Sequence, residues 1–64
     1  MTPDVTYDAD ANAAYIRFSR AAVLESEEVS PGIVFDFDSE GRIVGIELLD
    51  AKSRLPRDVL SPAA

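Results

Sequence analysis

Residues 31–50, PGIVFDFDSEGRIVGIELLD, decide the fold. Ile33, Phe35 and Phe37 alternate with Val34, Asp36 and Asp38, the period-two pattern of a strand with one apolar face. Asp38-Ser39-Glu40-Gly41 follows as a turn, with Gly41 placed where a three-residue hairpin loop with a bulge needs positive φ. Arg42 then leads into IVGIELL, rich in β-branched and aliphatic residues, which returns as the partner strand. A β-hairpin is therefore written into the middle of the chain. Phe35 and Ile46 are its expected core residues and Gly41 its turn residue.

Working outward, three further strands are expected. Val5 and Tyr7 start the first. Asp8-Ala9-Asp10-Ala11-Asn12 is a turn, because Asp and Asn side chains bond nearby backbone and tolerate left-handed geometry. Residues 13–19, AAYIRFS, form the second strand, with Ala14, Ile16 and Phe18 on one face and Ala13, Tyr15 and Arg17 on the other. A helix over residues 8–22 competes, since alanine favours it, but Tyr15, Ile16 and Phe18 cluster at strand spacing. Residues 23–29, VLESEEV, form a third strand whose charges suit an exposed edge. Ser30-Pro31-Gly32 ends it. After the hairpin, Asp50 is positioned to N-cap a helical turn over residues 51–55, and Pro56 opens a second turn over residues 57–60. Residues 61–64 are expected to fray.

The fold class is therefore mainly β, with a short α element. We expect a small antiparallel β-meander of about five strands with a short C-terminal helical segment, and one domain over residues 1–64. Val5, Tyr7, Ile16, Phe18, Ile33, Phe35, Phe37, Val44, Ile46 and Leu48 are the expected core. Ile43, Leu49, Val34 and Tyr15 are left for the other face, to be covered by Leu55 and Leu60 or by a second subunit.

Composition narrows the function. A 64-residue chain buries only about 60% of the surface it exposes when unfolded, and such domains lean on disulfides, metals or oligomerisation. The chain has no cysteine and no histidine. Disulfides, thiolate metal sites, thiol nucleophiles and the commonest general base are thereby excluded. Twelve acidic residues against six basic ones give a net charge of −6, which repels nucleic acid and anionic membranes. The acidic surface suits a basic protein partner. No apolar run approaches the roughly 20 residues of a membrane span, and the acidic N-terminal stretch lacks the features of a secretory signal. A cytoplasmic location is expected.

The blocks Tyr7-Asp8, Asp10 and Ala14-Tyr15-Ile16-Arg17-Phe18 form one pattern. Glu28-Val29, Gly32-Ile33-Val34-Phe35-Asp36-Phe37-Asp38 and Gly41-Arg42-Ile43-Val44-Gly45-Ile46-Glu47-Leu48-Leu49-Asp50-Ala51 form another. Together they resemble DUF2283, a family of small bacterial and archaeal proteins of unknown function, over residues 5–55. The family pattern usually has a bulky apolar residue where this chain has Ala14. The resemblance implies a small β-rich domain from a prokaryote. It carries over no catalytic residue, and it implies a partner-binding, antitoxin-like role.

Several polar groups are candidate sites. Asp8-x-Asp10-x-Asn12 carries the first oxygen positions of a calcium loop, but Ala13 and Ser19 stand where its glycine and bidentate glutamate belong. A turn held by Asx bonds is the expected reading. Asp36 and Asp38, with Glu25, Glu27 or Glu28 across from them, are weak candidates for a divalent metal or for acid–base work. Glu47 interrupts an apolar strand and is a third such candidate; Arg17 or Arg42 is its expected ion-pair partner. Lys52, Arg54 and Arg57 give the last residues a basic patch. No catalytic residue and no cofactor are assigned. We therefore expect a non-enzymatic interaction module that forms a homodimer and takes a basic protein partner, with no nucleic acid and no membrane. The alternative is a ligand- or divalent-metal-binding domain, or a minimal enzyme, built on the clustered carboxylates.

Overall fold

The computed structural model describes residues 3–60. Five strands, β1 (Asp4–Asp8), β2 (Ala13–Arg17), β3 (Glu25–Ser30), β4 (Ile33–Phe37) and β5 (Ile43–Leu49), are followed by two single-turn helices, α1 (Ala51–Arg54) and α2 (Arg57–Leu60). All pairings are antiparallel. The mainly β antiparallel sheet expected from the sequence is the observed one. Residues 61–64, where fraying was expected, lie outside the described residues.

The strand order is β1-β2-β5-β4-β3, which departs from a simple sequential meander in one place. The last strand, β5, sits in the centre, and residues 18–24 carry the chain from β2 across to the far edge. The pattern of β5 explains this. It is the most apolar strand and the longest, and only a central position satisfies its backbone on both sides. β3, ESEEVS, is exposed at every residue and takes the edge, where charge discourages pairing with other chains.

Two hairpin turns follow the sequence reading closely. Gly41 has φ of 77°, with its amide donating to the Asp38 carbonyl (3.1 Å) and the Asp38 amide donating to Arg42 O (2.9 Å). The Asp38 carboxylate accepts the amides of Glu40 (2.8 Å) and Arg42 (3.0 Å). Asp8 Oδ1 likewise accepts the amides of Asp10 (3.0 Å) and Ala11 (3.3 Å), so the calcium-loop-like stretch is an Asx-stabilised turn.

Register sorts the side chains into two faces. One carries the rows Tyr7-Ala14-Leu48-Ile33 and Val5-Ile16-Ile46-Phe35. Phe35 and Phe37 meet with ring centroids 6.3 Å apart. The other carries Thr6, Tyr15, Arg17, Gly45, Glu47, Val34, Asp36 and Ser26. Near the turn, Asp36 pairs with Gly45 but Phe37 with Ile43. β5 thus takes up one extra residue, Val44, as a bulge. The bulge brings Ile43 opposite Phe37, which corrects its expected place on the polar face. The Val44 carbonyl accepts the amides of both Phe18 (2.7 Å) and Ser19 (3.2 Å).

The fully buried apolar residues are Ala14, Val44, Leu48 and Ala51. Phe35 and Ile46 lie on the expected face and face each other, but both are only half-buried. The two alanines belong to the core because the helices settle at that end of the face. Leu55 and Leu60 line a cleft with Tyr7, Lys52 and Arg57. The helices therefore cover the first apolar face at one corner, not the opposite face as anticipated. The Phe35 side stays partly exposed, and the molecule is only 17 Å across its thinnest dimension.

The helix junction is held from outside the helix. Asp50, expected as the N-cap, occupies that position but adopts φ 55° and makes no side-chain cap bond. A left-handed backbone turns its carboxylate away from the helix amides, unlike the extended backbone of ordinary N-caps. Asn12, itself at φ 51°, replaces it. Its backbone carbonyl accepts the Ala51 amide (2.9 Å). Its Oδ1 accepts the Lys52 amide (3.1 Å) and the Tyr7 hydroxyl (3.2 Å), and its Nδ2 donates to Asp50 (3.2 Å).

Candidate functional site

The polar face centres on Gly45. In the middle of an aliphatic strand a glycine weakens packing unless something approaches closely, and here the Tyr15 ring does. A Cβ at Gly45 would run into the Tyr15 hydroxyl and lie 2.9 Å from the Ile16 carbonyl oxygen. Lying across β5, the Tyr15 hydroxyl donates to Asp36 Oδ2 (2.8 Å). From the opposite side Ser26 Oγ donates to Asp36 Oδ1 (2.6 Å). One carboxylate thus ties β2, β4 and β3 together over the central strand. Burial, reinforced by the bond to Asp36, pushes the Tyr15 phenol above its ordinary pKa.

This arrangement is a clasp. The phenol is held in its neutral donor form, so it is not a ready base. The Ser26 hydroxyl spends its proton on Asp36 with no imidazole to relay it. A metal would find Asp36 already bonded through both oxygens. The carboxylate candidates are not gathered: Asp36 lies in the clasp, Asp38 caps the hairpin turn, and Glu47 stands exposed between Tyr15 and Val34. Among the described residues no group of three or more carboxylates is placed to hold a metal ion. Asp38 is held below its ordinary pKa by the amides of Arg42 and Glu40.

The expected Glu47 ion pair does not form. Register places Arg17 opposite Gly45, one step along from Glu47, and its guanidinium donates instead to the Ala21 carbonyl (3.1 Å), fixing the crossover. Arg42 lies beyond the sheet and pairs with Glu40 at 3.8 Å, both side chains largely in water, an arrangement of little energetic weight. Nor do the glutamates of β3 join Asp36. Ser26 stands across from it, Glu25 and Glu27 face Phe37 and Phe35 on the apolar side, and Glu28 accepts the Gly32 amide (3.1 Å). The basic patch is also divided. Arg54 donates to the carbonyls of Leu49 (2.8 Å) and Pro31 (2.7 Å), which leaves Lys52 and Arg57 at the cleft.

The clasp was missed from the sequence, although Gly45 was its signal: a lone glycine inside an aliphatic strand, with tyrosine and aspartate at polar-face positions of other strands. Asn12 offered no signal beyond its turn composition.

No helix among the described residues is long and apolar enough to cross a membrane. No curated protein and no solved structure matches the chain. The family described as a protein of unknown function, DUF2283, matches residues 4–52 of the 64. That span takes in the whole sheet, the Tyr15–Asp36–Ser26 clasp and the Asn12 tie, so the chain belongs to the DUF2283 family.

Proposed function

We propose that the protein is a non-enzymatic interaction module of the cytoplasm that self-associates through its apolar sheet face and offers its acidic remainder to a basic protein partner, in an antitoxin-like role. One observation carries this reading. Phe35, Phe37, Ile46 and Ile16 all lie on a face that two single-turn helices leave half-open, with Phe18 37% exposed beside them. A side chain of this size gains about 1.5–3 kcal/mol in passing from full exposure to full burial, and a second surface laid over these supplies the fraction that the single chain leaves open. The net charge of −6 supports a basic partner for the surface that remains.

Multi-angle light scattering at micromolar concentration tests the self-association. A mass twice the 6.9 kDa chain is expected, and Phe35→Asp should return it to the chain mass with the strand signal of circular dichroism retained. A wild-type mass of one chain that does not change on concentrating refutes the reading.

A further inference from the structure

The open face is not uniformly apolar. Glu25 and Glu27 lie on it, at the edge strand, directly across from Phe37 and Phe35. Inward-pointing charge on an edge strand discourages random pairing, but it also defines what can cover the face. The diagonally opposite corner, over Tyr7 and the two helices, carries Lys52 and Arg57. Neither cation forms an ion pair among the described residues. The face thus runs from an acidic corner at β3, across a strip of phenylalanine and isoleucine, to a basic corner at α1 and α2.

Resting on the self-association proposed above, we infer that the occupant of this face is a second copy, turned so that Glu25 and Glu27 of each chain meet Lys52 and Arg57 of the other. A two-fold contact must be self-complementary, and a face with opposite charges at opposite corners is so only when acidic corner lies on basic corner. The same rotation suits the shape. The helices thicken one corner of each copy and leave the other bare, so each copy's helices fill the space above the other's β3–β4 side. The reverse rotation sets glutamate against glutamate beside desolvated phenylalanine, which like-charge repulsion opposes.

The test uses light scattering and sedimentation on the full chain at low and high salt. The double variant Glu25→Lys/Glu27→Lys should raise the dimer Kd at least tenfold at low salt, and so should Lys52→Glu/Arg57→Glu. Combining all four substitutions should restore the wild-type Kd to within about threefold. Glu25→Gln/Glu27→Gln, which keeps size and shape, should flatten the salt dependence, because charges at an interface rim are screened within about 10 Å at 0.1 M salt. All eight positions in the dimer are exposed in the single chain, so the variants should keep wild-type circular dichroism. A dimer that persists in the double variants but is lost in Phe35→Asp overturns the corner-to-corner pairing and leaves self-association standing. A quadruple variant no tighter than either double variant overturns the pairing as well. A monomeric wild type at low salt overturns both.

Discussion

Replacing Asn12 with alanine should be among the most damaging single changes outside the apolar face. Three losses add. The Lys52 amide loses its cap acceptor, worth about 1 kcal/mol. Alanine must hold the φ of 51° found at this position, which costs a residue with a Cβ and no local hydrogen bond about 1 kcal/mol. The Tyr7 hydroxyl and the Asp50 carboxylate lose a partner each, a smaller effect because both can turn to water. The sum is about 2–3 kcal/mol, against a total of about 3–10 kcal/mol for a domain of this length. Urea denaturation followed by circular dichroism should show the midpoint falling with the slope unchanged. Asn12→Gly separates the terms, since glycine accepts the left-handed backbone freely; it should recover about 1 kcal/mol of the loss. An Asn12→Ala protein within about 0.5 kcal/mol of wild type would refute the cap. Equal stabilities for the alanine and glycine variants would refute the backbone contribution.

Gly45→Ala should cost about 1–3 kcal/mol through overpacking against the Tyr15 ring and the Ile16 carbonyl, and pairing it with Tyr15→Ala should cost less than the sum of the two single changes, because only the ring's share is relieved; additive losses in denaturant would count against the close approach. Gly41→Ala should cost about 1 kcal/mol at its left-handed turn position, read as a lowered melting temperature. If the proposed dimer covers the partly exposed Phe35 ring, Phe35→Ala should show a destabilisation that grows with protein concentration; a cost independent of concentration argues that the monomer alone sets it. Asp38 gives a pH test. Its folded pKa lies below the unfolded one, so its contribution is present above the unfolded pKa and disappears as pH falls through the folded value. Asp38→Asn should flatten the acid limb of the stability curve, and an unaltered limb would show that other carboxylates dominate it. Tyr15 works the other way: its raised pKa gives stability that is complete below the unfolded value and is lost as pH rises through the folded one. A phenolate absorbance titration in Tyr7→Phe background should therefore reach its midpoint above that of free tyrosine.

Strand existence and turn chemistry were legible because both are local. Period-two alternation marked the central hairpin, and glycine after Asp-Ser-Glu marked its turn. Sorting of side chains between faces was legible for the same reason, except at Ile43 and on β3, where Glu25 and Glu27 fall on the apolar face and not beside Asp36. The bulge at Val44 leaves that residue's carbonyl to the Phe18 and Ser19 amides, a contact between segments far apart in the chain that no local pattern encodes. Strand order was not legible, since adjacency of β2 and β5 is a property of which strand best fills the middle of a sheet. The carboxylate sites failed on geometry of the same long-range kind. Asp36 and Asp38 share a parity in the sequence, yet one lies in the sheet and the other closes the turn. Asn12 looked like a turn residue and is one; its second role depends on the end of β5 arriving beside it.

The crossover from β2 to β3 has a consequence for how the molecule assembles itself. β3, β4 and β5 follow one another and can zip up from local contacts, whereas β1 and β2 form a separate hairpin that must find β5 from far away in the chain, as in the pairing of Ala13 with Leu49. Until it docks, β5 presents a free, strongly aliphatic edge. Such non-local closure is the slow step in folding β proteins, and a free edge will accept any matching strand. The hairpin tethered by residues 18–24 can complete its own sheet or a neighbour's. Shortening that tether should shift the balance toward exchange of β1–β2 between chains, giving interlocked dimers that persist on dilution, while a longer tether should return each hairpin to its own chain.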